Sequence, residues 1–291
     1  MMTPLPDLAC DPRLAELVRR ALEEDLGAGD CTSEALIGAE ESAGAAILSR
    51  GSCVVAGLPV AAEVFRQVDA GLDCRVKARD GDPVERDQEV LVLWGRARSI
   101  LAAERVALNF LQRLSGIATL TRQFARKAAP YGVQILDTRK TTPTLRFLEK
   151  YAVLCGGGAN HRIGLYDRVL IKDNHRAAWS RRGGNGLAGA VEEARRRFPG
   201  LVIEIEVENE DELREALAAR PDWILLDNMK PGRLARCVTL AKGLCKLEAS
   251  GGITLKTVEA VARTGVDALS VGALTHSAPA ADFSLEFGAG A

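Results

Sequence analysis

From residue 130 onward, short apolar runs alternate with amphipathic stretches. Runs of strand length begin near Val133, Arg168, Val202, Trp223, Lys246 and Ala268. Between them apolar residues recur with helical period, and two helix starts carry their own punctuation: Asn209 with Glu212 as a capping box, and Thr254 as the N-cap of a helix that ends before Gly265. Repeated strand-helix units with apolar strands predict a parallel sheet covered by helices. No G-x-G-x-x-G follows the first strand, so a dinucleotide fold lacks its usual support. Nearly every run ends in polar or glycine residues: Asp137 to Lys140, Lys172 to His175, Glu206 and Glu208, Asp227 and Asn228, Ser250 to Gly252, and Gly272. In a βα barrel the active site is built from those strand ends, but six strands fall short of the eight units in ~250 residues of a complete one. The expected fold is α/β: an N-terminal α+β domain over 1–115, then an incomplete α/β barrel over 116–277.

The first part has a different rhythm. Leu14, Leu17, Val18, Ala21 and Leu22 share one face of a helix over 12–25, which Gly27 and Gly29 end. Strand-like runs follow at Ala45 to Leu48, Cys53 to Ala56, Cys74 to Ala78 and Glu89 to Trp94, with a helix over 59–68 and a turn at Asp80-Gly81-Asp82-Pro83. A helix over 102–114, stopped by Ser115-Gly116, turns Val106, Phe110 and Leu114 to one face. Arg105, Asn109 and Gln112 lie largely off that face.

Composition narrows the class. With 47% hydrophobic residues among 291, the chain can bury a substantial core as one large domain or two of ordinary size. Met1 to Asp7 lacks a basic leader and an apolar segment, and no later apolar run approaches the ~18 residues of a spanning helix; the expectation is a cytoplasmic protein without a membrane partner. Seven scattered cysteines with no C-x-x-C pair argue against a disulfide framework and a zinc site. Cys155 reads as packing.

Charge adds the first chemistry. The whole chain carries a formal −1, yet between Asp137 and His175 seven basic residues (Arg139, Lys140, Arg146, Lys150, Arg162, Arg168, Lys172) meet four acidic ones. A cationic island in a near-neutral chain suggests a small polyanion, whereas a nucleic-acid binder spreads its charge over a face. Further along, Glu204, Glu206 and Glu208 alternate with apolar residues and so point one way, which is costly unless cations or a metal face them. An edge strand with a solvated acidic face is the plainer alternative. Asp227 adds a carboxylate at the next strand end, and the two strands together could hold Mg²⁺ or sugar hydroxyls, or stabilise a developing cation. Glycines in Ser250-Gly251-Gly252 and at Gly272 free backbone N–H groups for a phosphate at the last two strand ends. The ligand so described is a sugar phosphate that carries or meets further anions.

These motifs occur in an order that resembles the quinolinate phosphoribosyltransferases. The resemblance begins at Glu24-Asp25-Leu26-Gly27, runs through Glu104-Arg105-Val106-Ala107-Leu108-Asn109 and Thr138-Arg139-Lys140-Thr141-Thr142-Pro143, and includes His161-Arg162 and Ile171-Lys172-Asp173-Asn174-His175. It closes with Glu206-Val207-Glu208, Leu226-Asp227-Asn228, Glu248-Ala249-Ser250-Gly251-Gly252-Ile253 and Ala281-Asp282-Phe283. It implies transfer of phosphoribosyl from phosphoribosyl pyrophosphate to quinolinate, with decarboxylation, to give nicotinate mononucleotide. It also implies a tail, 278–291, that returns to the first domain, and a homodimer or larger homo-oligomer in which Arg105 enters the neighbour's site. By the same match Arg139, His161, Arg162 and the neighbour's Arg105 hold quinolinate beside Thr138, while Lys140 and Lys172 meet its carboxylates or the departing pyrophosphate. Glu206 and Asp227 serve the ribose and Mg²⁺, and Ser250, Gly251, Gly252 and Gly272 cradle the 5′-phosphate. Arg146, Lys150 and Arg168 are left as helix and surface charges.

Two positions depart from the family pattern: Thr144 stands where glycine is common after the TRKTTP motif, and Ala159 where a polar residue is common. Of the competing readings, a related enzyme of the molybdenum locus is disfavoured by the complete LIKDNH run, and a Schiff-base lyase on Lys172 has no need of so many arginines. A binding protein without catalysis accounts poorly for so complete a charged rim.

Overall fold

The computed structural model describes residues 5–241 and 243–288. Residues 1–4, within the N-terminal stretch discussed above, and 289–291, at the end of the proposed tail, lie outside the described residues. Among the described residues twelve strands occur in chain order: β1 (Ser42–Ser49), β2 (Cys53–Val54), β3 (Asp73–Val76), β4 (Pro83–Val84), β5 (Glu89–Arg96), β6 (Gln134–Leu136), β7 (Val169–Ile171), β8 (Ile203–Val207), β9 (Trp223–Asp227), β10 (Lys246–Ser250), β11 (Ala268–Ser270) and β12 (Phe283–Phe287). They fall into two compact units. One comprises residues 1–122, 148–157 and 278–291, the other residues 123–147 and 158–277.

The first unit is built on an antiparallel sheet of order β12-β1-β5-β3. The tail thus belongs to this sheet as an edge strand. The helix Pro12–Leu26 begins where the Asp11 carboxylate takes the Arg13 N–H, and it buries Leu14, Val18 and Leu22, each stabilising by roughly 1.5–3 kcal/mol relative to exposure. Of the expected strand over 53–56 only Cys53 and Val54 are extended.

The largest departure from expectation is the helix Ala97–Ala128, which runs unbroken through Ser115-Gly116. Ser115 is buried and its hydroxyl takes the Ala56 N–H and donates to the Ala56 carbonyl. A Cβ on Gly116 would lie 2.1 Å from the Pro279 carbonyl oxygen. The pair that looks like a stop signal is a packing seam: glycine's cost of about 1 kcal/mol in a helix is offset by close approach of the tail. Lys150 sits in the helix Arg146–Cys155 with 1% exposure, so its reading as a surface charge is corrected. Cys155 is buried beside it, and burial pushes its thiol well up, which leaves it protonated and inert.

The second unit holds a six-stranded parallel sheet of order β6-β11-β10-β9-β8-β7. The first strand pairs with the last, and the others descend in sequence to β7. What is missing is the β6–β7 pair, so the barrel is open there. Ala159 occupies the free side of β6: its N–H donates to the Ile135 carbonyl and its carbonyl accepts the Asp137 N–H. A backbone contact of this kind is indifferent to the side chain. Asn209 caps the helix Glu210–Ala219 through the Glu212 N–H, while Glu212 accepts the Glu208 N–H. The last long run of helical period yields only Val258–Ala262, with Thr257 and not Thr254 at the N-cap position and no capping hydrogen bond from its side chain. Among the described residues no helix is long and apolar enough to cross a membrane.

Candidate active site

Parallel register brings the strand ends onto one rim. Ser250 lies beside both Asp227 and Ser270, and Ser270 beside Leu136. Because side chains alternate along a strand, Glu204 and Glu206 on β8, and Glu248 and Ser250 on β10, turn to the same side. The rim encloses a cavity of about 730 Å³, within the size range of small-molecule sites. Of the residues singled out from the sequence, Thr138, Arg139, Lys140, His161, Arg162, Lys172, Glu206, Asp227, Ser250, Gly251, Gly252 and Gly272 all line it. Arg105 is in the first unit, with 60% of its side chain exposed and a contact of 3.6 Å to Glu104.

One side of the cavity is a cationic wall. The Arg139 Nε is buried and makes no hydrogen bond. Its loop is braced by Arg146, whose guanidinium donates to the Thr141 hydroxyl at 3.0 Å and to the Ile163 carbonyl at 3.1 Å. Arg146 is therefore a structural strut of the site and not a solvated helix charge. Burial, and then the neighbouring Arg139, lower the pKa of Arg162, the signature of crowded cations that an anion would relieve. Thr144, in the same loop, has a φ of 68°. A β-branched residue held there costs of order 1–3 kcal/mol, more than the ~0.4–1 kcal/mol by which glycine favours the unfolded chain. Thr144→Gly is expected to stabilise the protein by about 1 kcal/mol, read as a higher thermal midpoint; an unchanged or lower midpoint would show that the loop carries no such strain.

The opposite side is acidic. Lys172 Nζ stands 2.5 Å from Glu206 Oε2, and Asn228 donates to Asp227 at 2.7 Å. β8 is an interior strand and buried throughout, so the alternative of a solvated acidic edge fails. Glu204 is fully buried and paired with Arg168 at 3.2 Å and with His161 at 3.1 Å. Arg168, read from sequence as a surface charge, is thus paired with a buried carboxylate behind the lining residue His161. Glu208 lies beyond the strand and is exposed.

The glycine loops close the third side. Gly251 has a φ of 97°, and a Cβ there would fall 2.0 Å from the Asn228 side-chain oxygen. The helices that follow the two loops, Val258–Ala262 and Ala273–His276, are short, so a phosphate here depends on the backbone N–H groups themselves more than on a helix dipole. Sequence reasoning gave no role to Asn228, which it placed at a strand end, and did not single out Glu248, Ser270 and His276 for the site; all four line the cavity. Glu248 had a visible signal: a carboxylate inside an apolar strand, two residues before Ser250.

Two family models meet near residue 116, within the helix Ala97–Ala128. Residues 30–115 match the family "Quinolinate phosphoribosyl transferase, N-terminal domain", and residues 117–286 match the corresponding C-terminal domain. A Bacillus subtilis protein named probable nicotinate-nucleotide pyrophosphorylase (carboxylating) is 42% identical over 275 residues, which is 94% of this chain and 93% of that protein. A mitochondrial quinolinate phosphoribosyltransferase (decarboxylating) of Nicotiana glauca is 42% identical over 94% of this chain and 82% of its own length. The solved nicotinate-nucleotide pyrophosphorylase of Francisella tularensis superposes with a TM-score of 0.90 at 40% identity, over 94% of this chain and 96% of that one. The chain belongs to the quinolinate phosphoribosyltransferase family.

Proposed function

We propose that this enzyme joins the phosphoribosyl group of phosphoribosyl pyrophosphate to the ring nitrogen of quinolinate and releases pyrophosphate and CO₂, leaving nicotinate mononucleotide for NAD biosynthesis. The observation that carries this reading is the buried, unsatisfied Nε of Arg139 in a cavity also lined by Arg162, Lys140 and Lys172. An unsatisfied buried donor is costly, and a planar dicarboxylate satisfies guanidinium forks better than it satisfies point charges. Arg139 and Arg162 accordingly grip the two adjacent carboxylates, with Thr138 and His161 at their side, while Lys140 and Lys172 meet a carboxylate or the departing pyrophosphate. When Lys172 turns to the incoming anion, Glu206 loses its ion-pair partner and becomes available to the sugar.

As the bond from C1 of the ribose to pyrophosphate breaks, positive charge develops on the ribose. Glu206 and Asp227 face that charge, or bind the ribose hydroxyls, and stabilise it in a cavity that restricts water. Ser250, Gly251, Gly252 and Gly272 hold the 5′-phosphate through the Ser250 hydroxyl and backbone N–H groups. Once the ring nitrogen is alkylated, its positive charge stabilises the electron pair left at C2 as CO₂ departs, and that pair takes up a proton to give nicotinate mononucleotide. No enzyme nucleophile is needed, in keeping with a protonated Cys155. The donor chemistry of Glu206 and Asp227, two carboxylates on neighbouring strand ends, fits Mg²⁺, which takes one or two carboxylates and completes its shell with water and substrate oxygens. Bound there, Mg²⁺ would neutralise charge on the pyrophosphate leaving group.

The assembly is at least a homodimer in which Arg105 of the partner subunit completes the anion-binding wall; its exposure and lack of a close hydrogen-bonded partner on its own helix support this. The enzyme acts in the cytoplasm, and neither nucleic acid nor membrane is a partner. Purified protein with quinolinate, phosphoribosyl pyrophosphate and Mg²⁺ is expected to form nicotinate mononucleotide. Turnover of nicotinate in place of quinolinate would reassign the substrate.

A further inference from the structure

His161, beside the proposed quinolinate site, belongs to a buried cluster whose two acids, Glu204 and Glu248, have no part in the proposed chemistry. His161 Nε2 is 3.1 Å from Glu204 Oε2, 3.4 Å from Glu248 Oε2 and 3.4 Å from Arg168 Nη1. The other ring nitrogen, Nδ1, accepts the Arg162 backbone N–H at 2.7 Å. Glu248 is fully buried; its Oε1 accepts the Ser270 hydroxyl, and its Oε2 accepts no hydrogen bond. His161, Glu204 and Glu248 are spaced as three ligands of a metal ion would be, but the Arg168 guanidinium already supplies a cation at 3.2 Å from Glu204. A metal is therefore neither required nor favoured there.

The two contacts of the imidazole select one state. A nitrogen facing two carboxyl groups must carry hydrogen, and a nitrogen receiving a backbone N–H must not. We propose that Glu248 is a positioning residue which, with Glu204, holds His161 as the neutral tautomer protonated at Nε2, so that its bare Nδ1 fixes the backbone of Arg162 at the floor of the quinolinate site. This rests on the function proposed above. Burial lowers the proton affinity of His161, while the two carboxyl groups raise it and draw a further proton to the cluster. A second ring proton would nonetheless meet the Arg162 N–H head on. The proton attracted to the cluster therefore stays on Glu248, whose own pKa is raised by burial first and by the nearby Glu204 as well.

The consequence is a chain of contacts, Glu248 to His161 to the Arg162 N–H, that sets where the Arg162 fork points. The Arg162 guanidinium also donates, through Nη1, to the Arg168 backbone carbonyl at 3.3 Å, so Arg162 is held at its backbone N–H and at its fork.

With only three histidines in the chain, ring-nitrogen NMR of the uniformly ¹⁵N-labelled full-length protein at pH 7 can read His161 directly, with His161→Asn used to assign it. The expected spectrum has one protonated and one bare nitrogen, and Glu248→Ala should collapse it to a mixture of tautomers. In steady-state kinetics Glu248→Ala should raise the KM for quinolinate by about 10-fold or more and that for phosphoribosyl pyrophosphate by less than twofold, with most of the loss recovered by Glu248→Gln, which mimics the protonated acid. Two protonated nitrogens on His161 in the unmodified protein would overturn the proposal, whatever the enzyme's substrate is. So would a folded Glu248→Ala protein with an unchanged His161 spectrum and an unchanged quinolinate KM. If the His161 spectra behave as expected while quinolinate is not turned over, the positioning geometry stands and the assigned reaction falls.

Discussion

Arg139→Ala is expected to lower kcat/KM for quinolinate by roughly 30-fold to several thousand-fold, which corresponds to the ~2–5 kcal/mol lost when one member of a buried charge pair is removed. The physical reason is the burial of the fork: its Nε is enclosed and unsatisfied in the free enzyme, so a carboxylate that reaches it gains a charge-assisted hydrogen bond without displacing another protein partner. Arg139→Lys keeps the charge and loses the planar fork, and is expected to recover less than a tenth of the activity. Saturation kinetics check both variants. Retention of full kcat/KM by the alanine variant, with the fold intact, would remove Arg139 from the site.

The second large effect is recovery of activity on mixing. Arg105→Ala and Lys172→Ala chains are each expected to be inactive, the first for want of a cation donated across the interface, the second for want of one within its own cavity. In randomly re-formed dimers half of the assemblies are mixed. Each mixed dimer has one site with both cations and one with neither, so about a quarter of the unmodified activity should return for a two-fold assembly. The assay is turnover after subunit exchange, with exchange verified by mass-tagged chains. No recovery despite demonstrated exchange would place Arg105 outside the shared site.

Much of the architecture was legible in the sequence because the signals were local. The six barrel strands announced themselves as apolar runs, and their polar ends gave much of the rim: Lys172 follows Ile171, Asp227 follows Leu226, and both Lys172 and Asp227 line one cavity. What the sequence hid was depth and long-range pairing. Arg168 and Glu204 are charged, and charge normally implies solvent; only the fold shows them cancelling one another beneath the cavity. Glu248 lay in plain view within a strand, but nothing nearby in the chain identified His161 as its partner, 87 positions earlier. Ser115-Gly116 reads as a helix stop from its neighbours alone, because the segment that needs the missing side chain, Pro279, is far along the chain. The open β6–β7 edge likewise follows from which strands pair, and no run of residues encodes that by itself.

The family assigns the reaction and the cavity supplies the chemistry, so the central claim is that decarboxylation at C2 accompanies ribosyl transfer. The direct measurement is turnover of quinolinate carrying ¹³C in either the 2- or the 3-carboxyl group, with phosphoribosyl pyrophosphate and Mg²⁺. The account predicts labelled CO₂ from the 2-carboxyl substrate alone, in step with pyrophosphate release, while the 3-carboxyl label remains in nicotinate mononucleotide. Pyrophosphate release without labelled CO₂, or loss of the 3-carboxyl label, would contradict it.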